Sequence, residues 1–358
     1  MPPKKLPAGR PGDVLWSRPV PAAGSLKNLN VSVYEVLYLS TDALNRPDAV
    51  SGTVMLPRAG DLAPTPVLGW ATGTHGLADS CAPSKAIAKG SDDWLDIFVL
   101  AAHHGWAVAA TDYEGLGTPG NHTYSVGRSE GHAVLDAVRA ALRLRGGGLA
   151  PAAKVAFWGY SQGGGAAAWA GELAPAYAPE LHTVAVAAGG VPADLTKVSA
   201  AVDGATWAGA EFMAALGLDT AYPELNLDSY IRPAARAGLE KLRTSCVKEG
   251  IAANAGKHAR DVFTVNLLNL DPWKKRLTEN SLGATPPKAP IFLYHGEKDT
   301  VVAFGQAESL MRTYCAKGVD VTWLPIPGAD HSVASYRETE VVAFLVDRFA
   351  GKPATSTC

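Results

Sequence analysis

Along most of the chain, short runs of β-branched and aromatic residues alternate with longer segments whose apolar positions recur at helical spacing. Val31 to Leu39 (VSVYEVLYL) alternates apolar and polar positions, turn residues fill Ser40 to Pro47, and Val50 to Leu56 resumes the alternation, predicting a hairpin. Further strands are predicted over 66–70, 106–111, 154–158, 183–188, 291–294 and 319–324. Helices are predicted over 94–104 with Gly105 as its cap, and over 129–145, 162–177, 303–316 and 335–349. In the 129–145 segment, Ala133, Leu135, Val138, Ala141, Leu142 and Leu144 fall on or near one face, and Gly146-Gly147-Gly148 ends it. Strands alternating with helices predict an α/β fold: a mainly parallel sheet, helices on both faces, entered through an antiparallel hairpin.

Residues 192–287 interrupt this alternation. Ala200 to Leu216 and Arg232 to Glu249 read as helical, no apolar β-run compares with the others, and Pro286-Pro287 closes the segment. The 358-residue length also favours one core domain plus an insertion over two equal halves. The expected organisation is an N-terminal arm over 1–30, a core formed by 31–191 and 288–350, a helical cap or lid inserted as 192–287, and a C-terminal tail over 351–358. Residues 1–25, rich in Pro and Gly, are expected to be extended.

The stretch Phe157-Trp158-Gly159-Tyr160-Ser161-Gln162-Gly163-Gly164-Gly165 reads as a strand end, a sharp turn and a helix start, with Gly159 and Gly163 flanking Ser161 in the G-x-S-x-G pattern of a nucleophile elbow. The serine needs a strained backbone to project its hydroxyl. Side chains two residues either side would collide as strand and helix converge. Upstream, Lys154 to Trp158 is short and apolar; downstream, Gln162 to Tyr177 is alanine-rich, with no proline before Pro175.

A serine hydroxyl needs a general base, and the base needs a carboxylate to hold its tautomer. In this fold the chain order is Ser, then Asp or Glu, then His. The acid is read in YHGEKD at 294–299 and the base in PGADHS at 327–332, each following a predicted strand. The assignment is Ser161 as nucleophile, Asp299 as orienter, and His331 as base and then acid. Glu297 lies closer to the strand end and is the rival acid; Asp330 is expected to face solvent. His295 is expected to be structural, His103 and His104 to end a helix, and His75 to line the pocket. Two backbone N–H donors are needed for the oxyanion. One is expected from Gln162. The other is expected from the loop after the third predicted strand, with Thr74 preferred over its neighbours Gly73 and His75.

Composition adds limits. The chain is 47% hydrophobic and 18% charged with a net charge of −2, which fits a globular protein with a sizeable core and gives no reason for a nucleic acid or anionic membrane as an obligate partner. The cluster Lys274-Lys275-Arg276 reads as a solvated helix face. No apolar run reaches the ~18–20 residues of a membrane span. No hydrophobic region stands behind Met1 to Lys5, so no signal peptide is read. The four cysteines, Cys81, Cys246, Cys315 and Cys358, are widely spaced, with no C-x-x-C, and fit two disulfides in an oxidising compartment. A secreted protein in its mature form is therefore expected.

Four segments together resemble the lipase A-type secretory lipases of fungi and actinobacteria, within the α/β-hydrolase superfamily: GTHGLADSCAPS at 73–84, TDYEGLGTPG at 111–120, GYSQGGGAAAWA at 159–170 and YHGEKDTVV at 294–302. The likeness spans residues 30–350. It implies a secreted carboxylic ester hydrolase with a helical cap between the sixth and seventh core strands, where 192–287 lies. It implies Ser161, Asp299 and His331 as triad. It pairs Cys81 with Cys246, which leaves Cys315 with Cys358. The expected activity is hydrolysis of lipid-like acyl esters through an acyl-enzyme, with no metal or organic cofactor, by a monomer whose partner is a small-molecule or lipid ester. Aryl, feruloyl or polyester cleavage, or acyl transfer, would use the same triad. An amidase or peptidase would also turn over an anilide, and a non-catalytic binding protein would be expected to lack a triad member; none is missing here.

Overall fold

The structure, a computed structural model, describes residues 5–58 and 64–358. Residues 1–4 of the expected arm lie outside the described residues. The alternating segments form a nine-stranded sheet: β1 (Val14–Val20), β2 (Val31–Thr41), β3 (Pro47–Pro57), β4 (Val67–Ala71), β5 (Ala107–Thr111), β6 (Lys154–Tyr160), β7 (His182–Gly189), β8 (Ile291–Gly296) and β9 (Val321–Ile326). Their order is β1-β2-β3-β5-β4-β6-β7-β8-β9. Pairings from β1 to β5 are antiparallel, and those from β5 to β9 are parallel.

The helices before β7 are α1 (Pro83–Lys89), α2 (Leu95–His103), α3 (Gly127–Leu142) and α4 (Gln162–Tyr177). Between β7 and β8 come α5 (Leu195–Val202), α6 (Ala208–Ala221), α7 (Arg236–Arg243), α8 (Val247–Asn254), α9 (Ala259–Val262) and α10 (Asp271–Glu279). The chain closes with α11 (Gly305–Ala316) and α12 (Glu338–Phe349). Period-two alternation sends neighbouring strand residues into two different cores. Val155 and Phe157 of β6, with Ile291 and Leu293 of β8, pack beneath α3, α4 and α11. Ala156, Trp158 and Tyr160, with Phe292 and Tyr294, pack against α1, α2 and α12. Both faces are thus covered, as a parallel sheet requires. This is the mainly parallel α/β architecture expected from the alternation, and it agrees with the α/β-hydrolase fold that the resemblance implies.

Three local readings change, and one short helix is added. Within the expected arm, Val14–Val20 is a strand, pairing Trp16 with Leu37 and Val20 with Val33. Its Pro19 is tolerated because β1 is the sheet edge. The tract 200–216 is not one helix: α5 stops at Asp203, whose carboxylate accepts the backbone N–H of Ala259 at 2.6 Å. The tract 232–249 divides into α7 and α8 around Cys246. Helix α1, which starts on Pro83, falls in a stretch for which no element is predicted.

The segment between β7 and β8 contributes no strand to the sheet. Its helices surround their own core, including Phe212, Met213, Leu216, Leu239, Trp273 and Leu277. The stretch 245–247, midway along the segment, is fastened to the loop after β4. Cys81 is bonded to Cys246, Leu77 N–H donates to Ser245 C=O at 3.0 Å, and Val247 N–H donates to His75 C=O at 2.9 Å. Lys274 and Lys275 are exposed on α10, while Arg276 pairs with Glu224 and Glu279. No helix among the described residues is long and apolar enough to cross a membrane.

The C-terminal tail lies along β9, where Thr357 N–H donates to Val321 C=O at 2.7 Å and Thr322 Oγ1 donates to Thr355 C=O at 2.8 Å. Cys358 is bonded to Cys315 of α11, closing a sequence separation of 43. Replacing both cysteines by serine is expected to lower the free energy of unfolding by about 2–4 kcal/mol, because the unfolded chain regains the loop entropy. Denaturant titration reads this directly. An unchanged midpoint would mean that the hydrogen bonds of the tail hold it without the bond.

Candidate active site

Ser161 sits between β6 and α4 with φ 58° and ψ −122°, a conformation that L-residues rarely adopt. Its backbone is pinned on both sides: its N–H donates to Gly189 C=O at 2.9 Å, and its C=O accepts from Gly165 N–H at 3.0 Å. The flanking glycines are sterically required. A Cβ on Gly159 would lie 2.2 Å from the Gly163 carbonyl oxygen, and one on Gly163 would lie 2.1 Å from the carbonyl oxygen of Ala71. The second clash is with the end of β4, a neighbour that the local motif does not reveal.

The loops after β8 and β9 bring a carboxylate and an imidazole to this serine. Ser161 Oγ lies 2.9 Å from His331 Nε2, and His331 Nδ1 lies 2.6 Å from Asp299 Oδ2. Asp299 Oδ1 accepts the backbone N–H groups of Val301 and Val302 at 2.9 and 2.8 Å. Burial opposes the charge on Asp299, but hydrogen bonds and electrostatic attraction from His295 and His331 outweigh it. They hold its carboxyl well below the usual carboxylate range. An ionised Asp299 accepts only, so His331 carries its proton on Nδ1 and turns a lone pair on Nε2 toward the Ser161 hydroxyl.

Two supporting groups escaped the sequence reading. His295, expected to be structural, is fully buried at the end of β8, and its Nε2 lies 3.2 Å from Asp299 Oδ2 and 2.7 Å from Val302 C=O. Tyr160, one residue before the serine, donates its hydroxyl to the carbonyl of His331 at 2.5 Å. The rival acids are elsewhere: Glu297 and Asp330 are exposed, and Asp330 accepts from Val333 N–H at 2.9 Å. His103 and His104 are exposed at the end of α2.

On the opposite side, Thr74 and Gln162 line the same cavity as Ser161. The loop carrying Thr74 is held by its side chains. Thr74 Oγ1 is 2.9 Å from the Tyr124 hydroxyl, and His75 donates from Nδ1 to Gly73 C=O at 2.8 Å and from Nε2 to Asp92 at 3.0 Å. His75 is not among the lining residues of the cavity, contrary to expectation. Burial opposes its charge, but Asp92 outweighs burial and its pKa is raised. Gln162 is fixed from behind. Burial lowers the His122 pKa to about 4, so this ring is neutral; Nδ1–H donates to Glu114 C=O at 2.9 Å and Nε2 accepts from the Gln162 amide at 3.2 Å. The same amide donates to Glu130 at 2.7 Å.

The cavity above Ser161 measures about 910 Å³ including its mouth. Most of its wall is apolar and comes from the β7–β8 segment, including Leu195, Trp207, Ala214, Leu218, Phe263 and Leu277, with Val301 and Val302 closing one side. Trp207 meets the His331 ring edge-on at 6.4 Å. Among the described residues, no group of three or more His, Cys, Asp or Glu is arranged to hold a metal ion.

Residues 82–357 match the secretory lipase family. The secreted triacylglycerol lipase LIP7 of Malassezia globosa is 30% identical over 387 aligned positions, covering 100% of this chain and 80% of its own length. A probable inactive lipase of Mycobacterium tuberculosis is 30% identical over 96% of this chain and 80% of its own. Among solved structures, Candida antarctica lipase A in its closed state aligns with a TM-score of 0.88 at 26% identity, covering 97% of this chain and 84% of that one.

Glu130 yields a test of the buried network. Burial raises its pKa from 4.5 to about 7, against the hydrogen bonds from Gln162 and Ser125. The folded chain therefore holds a proton that the unfolded chain releases, and the stability this adds at low pH is lost as pH rises through about 7. In Glu130→Gln the amide oxygen still accepts both bonds but cannot ionise. Its stability relative to wild type is expected to rise by up to about 3 kcal/mol between about pH 4.5 and 8. Chemical denaturation across that range measures the difference. A pH-independent difference would mean that Glu130 titrates alike in both states.

Proposed function

This chain belongs to the secretory lipase family and is a carboxylic ester hydrolase, and we propose that it works through an acyl-enzyme formed on Ser161. The observation that carries this reading is the unbroken chain of hydrogen bonds from Asp299 through His331 to Ser161 at the floor of an apolar cavity. His331 Nε2 takes the Ser161 proton as Oγ attacks the ester carbonyl. The oxyanion lies against the backbone N–H groups of Gln162, at the N-terminus of α4, and Thr74. Collapse breaks the ester C–O bond, and the imidazolium returns its proton to the departing alcohol. Water then attacks the acyl-enzyme with His331 again as base, releasing the acid and the Ser161 hydroxyl.

The substrate reading follows from the walls. A cavity built from Leu, Val, Ala, Trp and Phe favours an apolar acyl chain, since burying each methylene contributes about 0.8 kcal/mol. Residues 192–287 act as a cap that supplies most of this wall. Membership of a secretory family, and two disulfides, support work outside the cell. One relative bears an inactive label; the hydrogen-bonded Ser161, His331 and Asp299 support activity in this chain.

Ser161→Ala is expected to reduce hydrolysis of p-nitrophenyl esters on the order of 10³-fold or more, and Asp299→Asn by up to ~10⁴-fold, with Glu297→Gln near wild type. Labelling of another serine by a fluorophosphonate, or a larger loss in Glu297→Gln, would overturn the assignment. For the acyl site, Ala214→Trp fills part of the cavity. It is expected to lower kcat/KM for long-chain esters relative to acetate by about tenfold or more. An equal fall for every chain length would place the acyl group elsewhere.

A further inference from the structure

One side chain in the cavity contradicts its apolar walls. Glu211, in the first turn of α6, is the one carboxyl-bearing residue among the described lining residues. Ser199 of α5 donates to its Oε1 at 2.5 Å, while Oε2 is buried with no hydrogen-bond partner among the described residues. Glu211 lies four residues after Trp207, the residue that precedes α6. Trp207 touches the reacting end of the site through His331. Both side chains line the cavity that holds Ser161.

An acceptor left unpaired in a closed core is a defect that folding disfavours. In a cavity that fills with substrate, the missing partner can arrive on the substrate. The charge state narrows which partner fits. Burial raises the carboxyl to about 7; the Ser199 bond lowers it, nearby Asp203 raises it, and His258, paired with Asp203 at 3.0 Å, lowers it. Acid and carboxylate are both present near neutral pH. A hydroxyl suits each form, because it donates to the carboxylate and accepts from the acid. A carbonyl would suit only the acid.

We propose that Glu211, steadied by Ser199, forms a polar subsite inside the cavity that selects esters whose acyl chain carries a hydroxyl group. This rests on the reading of the cavity as the acyl site of Ser161. A hydroxyl placed against the apolar wall loses its hydration and is rejected; placed at Glu211, it gives the carboxyl the partner that Oε2 lacks, once the carboxyl turns Oε2 out of its buried position.

The test is a series of p-nitrophenyl esters of one straight-chain acid, unsubstituted or with a single hydroxyl moved stepwise along the chain. Rates are expressed per site titrated with a fluorophosphonate. At one position, or two adjacent ones, wild type is expected to match or exceed its kcat/KM for the unsubstituted ester, and at the other positions to fall about tenfold or more below it. Glu211→Leu is expected to lose the preferred position by about tenfold or more, and Glu211→Gln to keep it within about threefold. A wild-type profile without a preferred position overturns the proposal whatever the variants do, as does an unchanged profile in Glu211→Leu. If Ser161→Ala still turns over the unsubstituted ester, the failure lies in the reading of the serine and not in the subsite.

Discussion

The backbone of Ser161 is the constraint around which the site is arranged. Holding a serine at φ 58° costs about 1–3 kcal/mol, and it persists only because neighbouring structure overdetermines it. The close approach that forbids a side chain on Gly163 comes from the carbonyl groups of Ala71 and Thr72. The same contact brings the loop after β4 beside the start of α4, and Thr74 and Gln162 line the same cavity. One steric fact therefore accounts for both the glycine in the motif and the pairing of the two proposed oxyanion donors.

On the acid side, the short loop from Asp299 to Val302 serves two neighbours. Its backbone N–H groups stabilise the buried carboxylate. Its valine side chains pack with Val202, Val198 and Trp207, which joins the acid loop to the segment between β7 and β8. A buried carboxylate is costly unless its oxygens are satisfied. Here two amides and two histidines satisfy them, and the packing that excludes water also shapes the cavity.

Much of this was legible in the chain because the signals are local. The strand, glycines and alanine-rich helix around Ser161 occupy one continuous stretch, and β8 and β9 each end in a loop carrying a candidate acid or base. What remained hidden depends on partners remote in sequence. Tyr160 reaches the carbonyl of His331 across a separation of 171 residues, and Glu130 reaches Gln162 across 32. His295 looked like any buried histidine until the turn folded Asp299 back against it. Glu211 carried no motif at all, since only the meeting of α5, α6 and the site reveals that it lines a cavity. β1 was obscured by its proline-rich surroundings, whose edge position makes that composition harmless. The break in 200–216 has a local cause, since Gly204 follows Asp203 with φ 73°, whereas that in 232–249 falls where Ser245, Cys246 and Val247 meet Leu77, Cys81 and His75.

The fastening of the β7–β8 segment to the loop after β4 bears on how this architecture can be recombined. Cys246 holds one half of a covalent bond and Ser245 and Val247 one half of a backbone ladder, while Cys81, Leu77 and His75 hold the others. A graft of residues 192–287 alone, from one relative into another, would arrive with a thiol and two amide partners cut for a different loop. The transferable module is discontinuous: the segment and the stretch 73–81 travel together or not at all.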